Sequence, residues 1–181
     1  MKKIIVTGGL GFIGSNLIDL LISKNYQVIN IDKITYSSNF YNLREHKNSN
    51  KYKFIRCDIK DKKLKKIIYK YKPSCIFNLA AESHVDRSIS NPMDFVKSNI
   101  NSTINLLESS RFYLNKNKEL QKKFRLIHVS TDEIYGSLKK NSKKFTEKNN
   151  LDPSSPYSSS KASTDLLVKA WHKTFNLPVL I

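Results

Sequence analysis

Apolar positions along this chain switch between two periods. Short β-branched runs alternate with longer helical stripes, which predicts a parallel sheet covered on both faces. Lys3–Thr7 is the first such run, and a glycine loop after it opens an amphipathic helix over about Phe12 to Lys24. Further strands are predicted at Gln27–Asp32, Tyr52–Cys57, Ser74–Leu79 and Arg125–Thr131. A helix from about Lys62 to Tyr71 is stopped by Pro73. After Asn91-Pro92, the positions Phe95, Val96, Ile100, Ile104 and Leu107 mark one long helix. Residues 137–156 are polar and contain Pro153 and Pro156, as a surface loop does. Tyr157 to about Phe175 is a further helix, and Pro178–Ile181 begins a sixth strand. No repeat or linker divides the chain. A strand cut at Ile181 leads to the expectation of a truncated protein lacking a later domain, inactive and prone to aggregate by itself.

The glycine loop, Gly8-Gly9-Leu10-Gly11-Phe12-Ile13-Gly14, follows a strand and opens a helix. Glycines there permit a tight turn and let backbone amides approach a pyrophosphate at the helix N-terminus. Asp32 ends the next strand, where a carboxylate accepts hydrogen bonds from an adenosine ribose and repels a 2′-phosphate. That favours NAD over NADP, with Lys33 next door weakening the exclusion. Asp58-Ile59 follows the third strand and suits either an adenine contact or a cap for the next helix. The fold expected is therefore a Rossmann-type NAD-binding domain over residues 1–181.

A second constellation lies downstream. Ser130-Thr131-Asp132-Glu133 closes an apolar run, placing two adjacent carboxylates at the sheet edge that holds ligands, where they can serve as acid and base. Tyr157 and Lys161 are i, i+4 on one helix face. A phenol is a poor base at neutral pH, and a neighbouring ammonium together with a cationic nicotinamide ring would lower its pKa.

Composition changes this picture little. Thirty-two Lys and Arg against 15 Asp and Glu give a formal charge of +17. The run Lys62, Lys63, Lys65 and Lys66 surrounds Leu64, Ile67 and Ile68, the pattern of a solvated helix face. No nucleic-acid partner is expected, and positive potential would steer an anionic substrate. No apolar run approaches the roughly 20 residues of a membrane span, and no targeting segment is evident, so a cytoplasmic location is expected. Cys57 and Cys75 lack metal or redox spacing and read as reduced core residues, with no metal expected.

The glycine loop, Asp32, Leu79-Ala80-Ala81 and Tyr157-x-x-x-Lys161 resemble the extended short-chain dehydrogenase/reductase superfamily. Three strings resemble more closely its dTDP-glucose 4,6-dehydratase family: Asp32-Lys33-Ile34-Thr35-Tyr36, Ala80-Ala81-Glu82-Ser83-His84-Val85-Asp86-Arg87-Ser88, and Ser130-Thr131-Asp132-Glu133-Ile134-Tyr135-Gly136. Beside the loop glycines Gly8, Gly11 and Gly14, the resemblance implies NAD contacts at Phe12, Ile13, Asp32 to Thr35, Asp58, Ile59, Leu79 to Ser83, Ser98, Tyr157 and Lys161. It implies substrate contacts at Ser83, Thr131, Asp132 and Glu133, with Asp132 as proton donor and Glu133 as acceptor. Dehydration of a nucleotide sugar on the way to deoxysugars is then expected of a full-length homodimer, paired through helices near residues 93–109 and 157–175. Another sugar-nucleotide dehydratase, an epimerase, a decarboxylase or a non-catalytic NAD-binding fragment are the alternatives.

Overall fold

Every β-branched run takes its place in one sheet. In the computed structural model, which describes residues 1–181, the strands are β1 (Lys3–Thr7), β2 (Gln27–Asp32), β3 (Tyr52–Arg56), β4 (Cys75–Asn78), β5 (Arg125–His128) and β6 (Val179–Leu180). All neighbours pair in parallel, in the order β3-β2-β1-β4-β5-β6. The strand order reverses between β1 and β4, and the doubly wound sheet opens a crevice at their carboxyl ends. The helices are α1 (Phe12–Ser23), α2 (Lys63–Tyr71), α3 (Val85–Ser90), α4 (Pro92–Phe95), α5 (Asn101–Asn115) and α6 (Pro156–Phe175).

The two-residue period of the strands sorts the core into two layers. Ile4, Val6 and Val28 pack with Ile18, Leu21 and Ile22 of α1 and with Leu43 of a 3₁₀ segment, Phe40–His46. On the opposite face, Ile5, Ile29 and Ile31 join Leu64 and Ile68 of α2, Leu106 and Leu107 of α5, and Val168 of α6. Each fully buried Leu or Ile contributes about 1.5–3 kcal/mol. That outweighs the charge crowding along α2, whose Lys63, Lys65 and Lys66 remain exposed while Leu64 and Ile68 are buried. Cys57 and Cys75 are both free thiols, and burial pushes each up to about 11, leaving them unreactive at neutral pH.

Two expectations need correction, and one helix was not expected. β5 ends at His128, not Thr131, because its neighbour β4 ends at Asn78; one more bond, Val129 N to Asn78 O at 3.1 Å, closes the ladder. The long helix after Pro92 is three joined segments, with a π turn over Val96–Ile100 between α4 and α5. α3 has too short an apolar stripe to be visible as a helix in the sequence. At α6, Ser155 Oγ accepts from Ser158 N at 3.0 Å and Ser158 Oγ from Ser155 N at 3.0 Å, a reciprocal cap with Pro156 just inside it. This cap starts the helix so that Tyr157 and Lys161 face the sheet edge. No helix is long and apolar enough to cross a membrane.

Candidate functional site

A cavity of ≈ 430 Å³ runs along the carboxyl edge of the sheet. Gly8, Gly11, Phe12, Ile13 and Gly14 form its floor, with Asp32, Lys33 and Thr35 after β2, and Asp58 and Ile59 after β3. Leu79, Ala80, Ala81 and Ser83 line it after β4, joined by Ser98 of the π turn and by Tyr157 and Lys161 of α6. Ile34, Glu82, Thr131, Asp132 and Glu133 are not part of this lining. Ser130, the first residue of the acidic constellation, is part of it, and so are Ser37, Ser38 and Ser102, which sequence reasoning missed; only their position past a strand end or in the first turn of α5 marked them.

The loop fits a dinucleotide. A Cβ at Gly8, whose φ is +70°, would lie 2.8 Å from Ala80 N, and one at Gly14 would fall 2.7 Å from Gly9 Cα. Gly9 is needed for packing, since a Cβ there would meet the Asn30 and Ile18 side chains. Gly11 differs: its Cβ would meet only Gly8 O, at 3.4 Å, so its missing side chain leaves room on the cavity side. Gly11 caps α1 without a side-chain bond, and no acidic residue lies in the first turn. Amides at this helix start are thus left for an anion. Phe12 and Ile13 are 82% and 61% exposed, apolar surface that a bound cofactor would cover.

Asp32 is 7% exposed and held by three donors. Its Oδ1 accepts from Ile34 N (2.8 Å) and Ser38 Oγ (3.1 Å), and its Oδ2 accepts from Leu10 N (3.0 Å). The bond to Ile34 draws that β-branched residue to φ +65°, a left-handed conformation that costs about 1–3 kcal/mol. Asp58 lines the cavity, and its Oδ1 accepts from Lys60 N at 3.0 Å in the turn before α2; the N-cap of that helix is Lys62, so the expected cap is not made by Asp58.

On the α6 side of the cavity, Tyr157 and Lys161 are 8% and 5% exposed. Lys161 Nζ donates to Val129 O at 2.6 Å. Burial lowers its pKa to about 8, opposed by the charge of Asp165. The phenol is shifted up, not down as the i, i+4 ammonium suggested. Burial raises it, the Thr131 hydroxyl draws it down, and the charges of Glu133 and Asp132 raise it further. Thr131, Asp132 and Glu133 belong to a 3₁₀ turn, Asp132–Tyr135, that Thr131 caps by accepting from Glu133 N at 3.3 Å. Both acids are exposed.

Beneath the site runs a buried polar relay. Thr7 Oγ1 donates to Asn78 Oδ1 (2.7 Å), and Asn78 Nδ2 donates to His128 Nδ1 (2.9 Å). The imidazole proton therefore sits on Nε2 and goes to Thr164 Oγ1 (3.0 Å), which donates to Lys161 O (2.7 Å). Ser130 Oγ donates to Asp165 Oδ2 at 2.6 Å, tying the end of β5 to α6. Sequence reasoning overlooked Asn78, His128, Thr164 and Asp165; the signal was a polar residue ending each of two apolar strands, β4 and β5. Burial, then the charge of Lys161, holds His128 down to about 3. Its 3.5 Å approach to Asp165 Oδ1 is therefore not an ion pair at neutral pH. The folded chain refuses a proton that an unfolded imidazole takes near pH 6.5, so stability falls as pH drops from about 6.5 towards 3. Over that window the loss approaches about 5 kcal/mol, offset in part by Asp165, whose raised pKa acts with the opposite sign. Urea unfolding at pH 7 and pH 4 should show a markedly smaller acid loss in His128→Gln; equal losses would remove this assignment.

The family model for GDP-mannose 4,6 dehydratase matches residues 5–181. The dTDP-glucose 4,6-dehydratase of Haemophilus influenzae is 50% identical over 184 residues, covering 100% of this chain and 54% of its own. A dTDP-glucose 4,6-dehydratase structure from Bacillus anthracis, in complex with NAD, is 37% identical with a TM-score of 0.83 over 99% of this chain and 53% of its own. A UDP-N-acetylglucosamine 4-epimerase structure from Methanobrevibacter ruminantium is 31% identical with a TM-score of 0.84 over 98% and 53%. This chain thus spans about half the length of the curated relatives it matches. Dehydratases and epimerases superpose equally well on the backbone, as expected when activity resides in a few side chains on a shared fold. With a nucleotide-binding crevice at its strand reversal and sequence agreement over nearly its whole length, the chain belongs to the GDP-mannose 4,6 dehydratase family of the extended short-chain dehydrogenase/reductase superfamily.

Proposed function

We propose that this chain is the NAD-binding, catalytic half of a dTDP-glucose 4,6-dehydratase. The observation that carries the reading is the Thr131-Asp132-Glu133 turn beside Tyr157, whose ionisation both acids oppose. An enzyme that only oxidises and re-reduces one carbon has no use for an acid and a base in addition to its phenol.

NAD, when bound, would supply the hydride acceptor and donor that links C4 of the sugar to C6, and a positive charge that favours a phenolate. The amides of Phe12 to Gly14, unpaired at the start of α1, would hold its pyrophosphate and Asp32 its adenosine ribose. Lys161, anchored on Val129 O, orients the nicotinamide end. Tyr157 removes the proton of the C4 hydroxyl, while Thr131 hydrogen-bonds the C4 oxygen as it becomes a ketone. The ketone acidifies C5–H, and Glu133 takes that proton. Asp132 protonates the C6 hydroxyl, which leaves as water. A proton returned to C5 completes a 4-keto-6-deoxy sugar. Ser83 binds the sugar. Met93, Val96, Leu166 and Phe175, exposed apolar residues on α4, the π turn and α6, support pairing of two copies through those helices.

The test joins this chain to the carboxyl-terminal half of the Haemophilus influenzae relative and supplies dTDP-glucose. A product lighter by one water and carrying a ketone is expected. An isomer of unchanged mass would favour the epimerase reading instead.

A further inference from the structure

We infer that Glu82 and Ser98 set the preference for NAD over NADP by holding the Lys33 ammonium in a bridge, out of reach of a 2′-phosphate. The inference rests on the proposed cofactor site and deepens it. Lys33 follows Asp32 directly, and a free cation there would offset the repulsion that Asp32 exerts on a second phosphate. The ammonium is not free. Lys33 Nζ lies 3.2 Å from Glu82 Oε1 and donates to Ser98 Oγ at 2.8 Å. The side chains of Lys33 and Glu82 are only 34% and 18% exposed, so water screens the pair less than a surface one.

Three separate elements build the bridge. The left-handed turn at Ile34, drawn by its bond to Asp32, fixes the backbone just past Lys33. Glu82 is fixed through its backbone, since its N–H donates to Asn99 Oδ1 at 2.8 Å and its carbonyl accepts from Asn99 Nδ2 at 3.0 Å. Ser98 and Asn99 are adjacent in the π turn, which presents Ser98 to the cavity and buries Asn99. The bridge also stands between two cavities, since Lys33 and Ser98 line both and Glu82 lines only the second. Asp32, meanwhile, already receives three donors, and a carboxylate has about four acceptor sites. A ribose hydroxyl can use the site that is left. A phosphate there would meet an anion whose neighbouring cation is already held by Glu82 and Ser98.

Glu82 is thus a positioning residue that acts through Lys33, and calorimetric titration of NAD and NADP into the full chain separates this from a structural role. The wild-type chain is expected to prefer NAD. Glu82→Gln, which keeps shape and removes charge, should shift the affinity ratio toward NADP by about tenfold or more, about 1.4 kcal/mol. Ser98→Ala should shift it less, in the same direction. Lys33→Ala should leave the NAD preference at least as strong, and Glu82→Gln combined with Lys33→Ala should lose the shift. An unchanged ratio in Glu82→Gln, or a shift that survives without Lys33, would overturn the inference while leaving the cofactor site standing. A wild-type chain that binds neither dinucleotide would overturn the site, and this inference with it.

Discussion

Glu133→Gln, in the chain joined to a relative's carboxyl-terminal half, is expected to oxidise the sugar at C4 and then stall. The amide keeps the shape of the acid but cannot take the C5 proton, so water is not lost. Reduced cofactor should accumulate on the enzyme and show as near-ultraviolet absorbance once dTDP-glucose is added. Tyr157→Phe should give no such signal, since nothing then removes the proton of the C4 hydroxyl. Each change should slow product formation by about 10² to 10⁴-fold, the usual range for general acid–base groups. Asp132→Asn should resemble Glu133→Gln, because an amide is a far poorer donor to the departing hydroxyl. Normal turnover in Glu133→Gln would show that the acids position substrate and transfer no proton. Loss of the absorbance signal as complete as in Tyr157→Phe would place Glu133 in the first step. Both acids are exposed in this chain, as the expected proton transfers require.

Gly14→Ala should be the most damaging single methyl in the nucleotide loop. Its Cβ would fall against the Gly8 carbonyl oxygen, 2.7 Å from Gly9 Cα and 3.0 Å from Gly8 C. All three atoms are backbone, so no side chain can swing aside and the loop must leave α1. A destabilisation of about 1–3 kcal/mol or more follows from overpacking of this kind. For a chain of this size that lowers Tm by roughly 2–12 °C. Cofactor affinity should fall with it. Gly11→Ala separates the two effects: the new methyl meets only Gly8 O at 3.4 Å and φ is −75°, so the fold should tolerate it. The methyl still enters the cavity, so NAD binding should weaken while Tm holds within a few degrees. A Gly14→Ala chain that melts like wild type would refute the close-packing argument. A Gly11→Ala chain with unchanged NAD affinity would move the pyrophosphate elsewhere.

Much of this site was legible before any coordinates because its parts are local in sequence. The glycine loop, Asp32, Asp58-Ile59 and the Tyr157–Lys161 pair each sit at a strand end or on one helix face, where a period of 2 or 3.6 places them. The strand boundaries at Lys3–Thr7 and Gln27–Asp32 followed from β-branched runs bounded by glycine and charge. Only tertiary structure decided the rest, because the deciding partners are far apart along the chain. β5 stops at His128 because β4 stops at Asn78. The π turn buries Asn99 against the Glu82 backbone and Ser160. Lys33 reads in sequence as a cation weakening Asp32, yet folding pairs it with Glu82 and Ser98. The phenol of Tyr157 reads as activated by Lys161, yet burial and the two nearby acids raise its pKa. A sequence sets which charges exist; their energies depend on distance and dielectric, and those exist only once the chain has closed on itself.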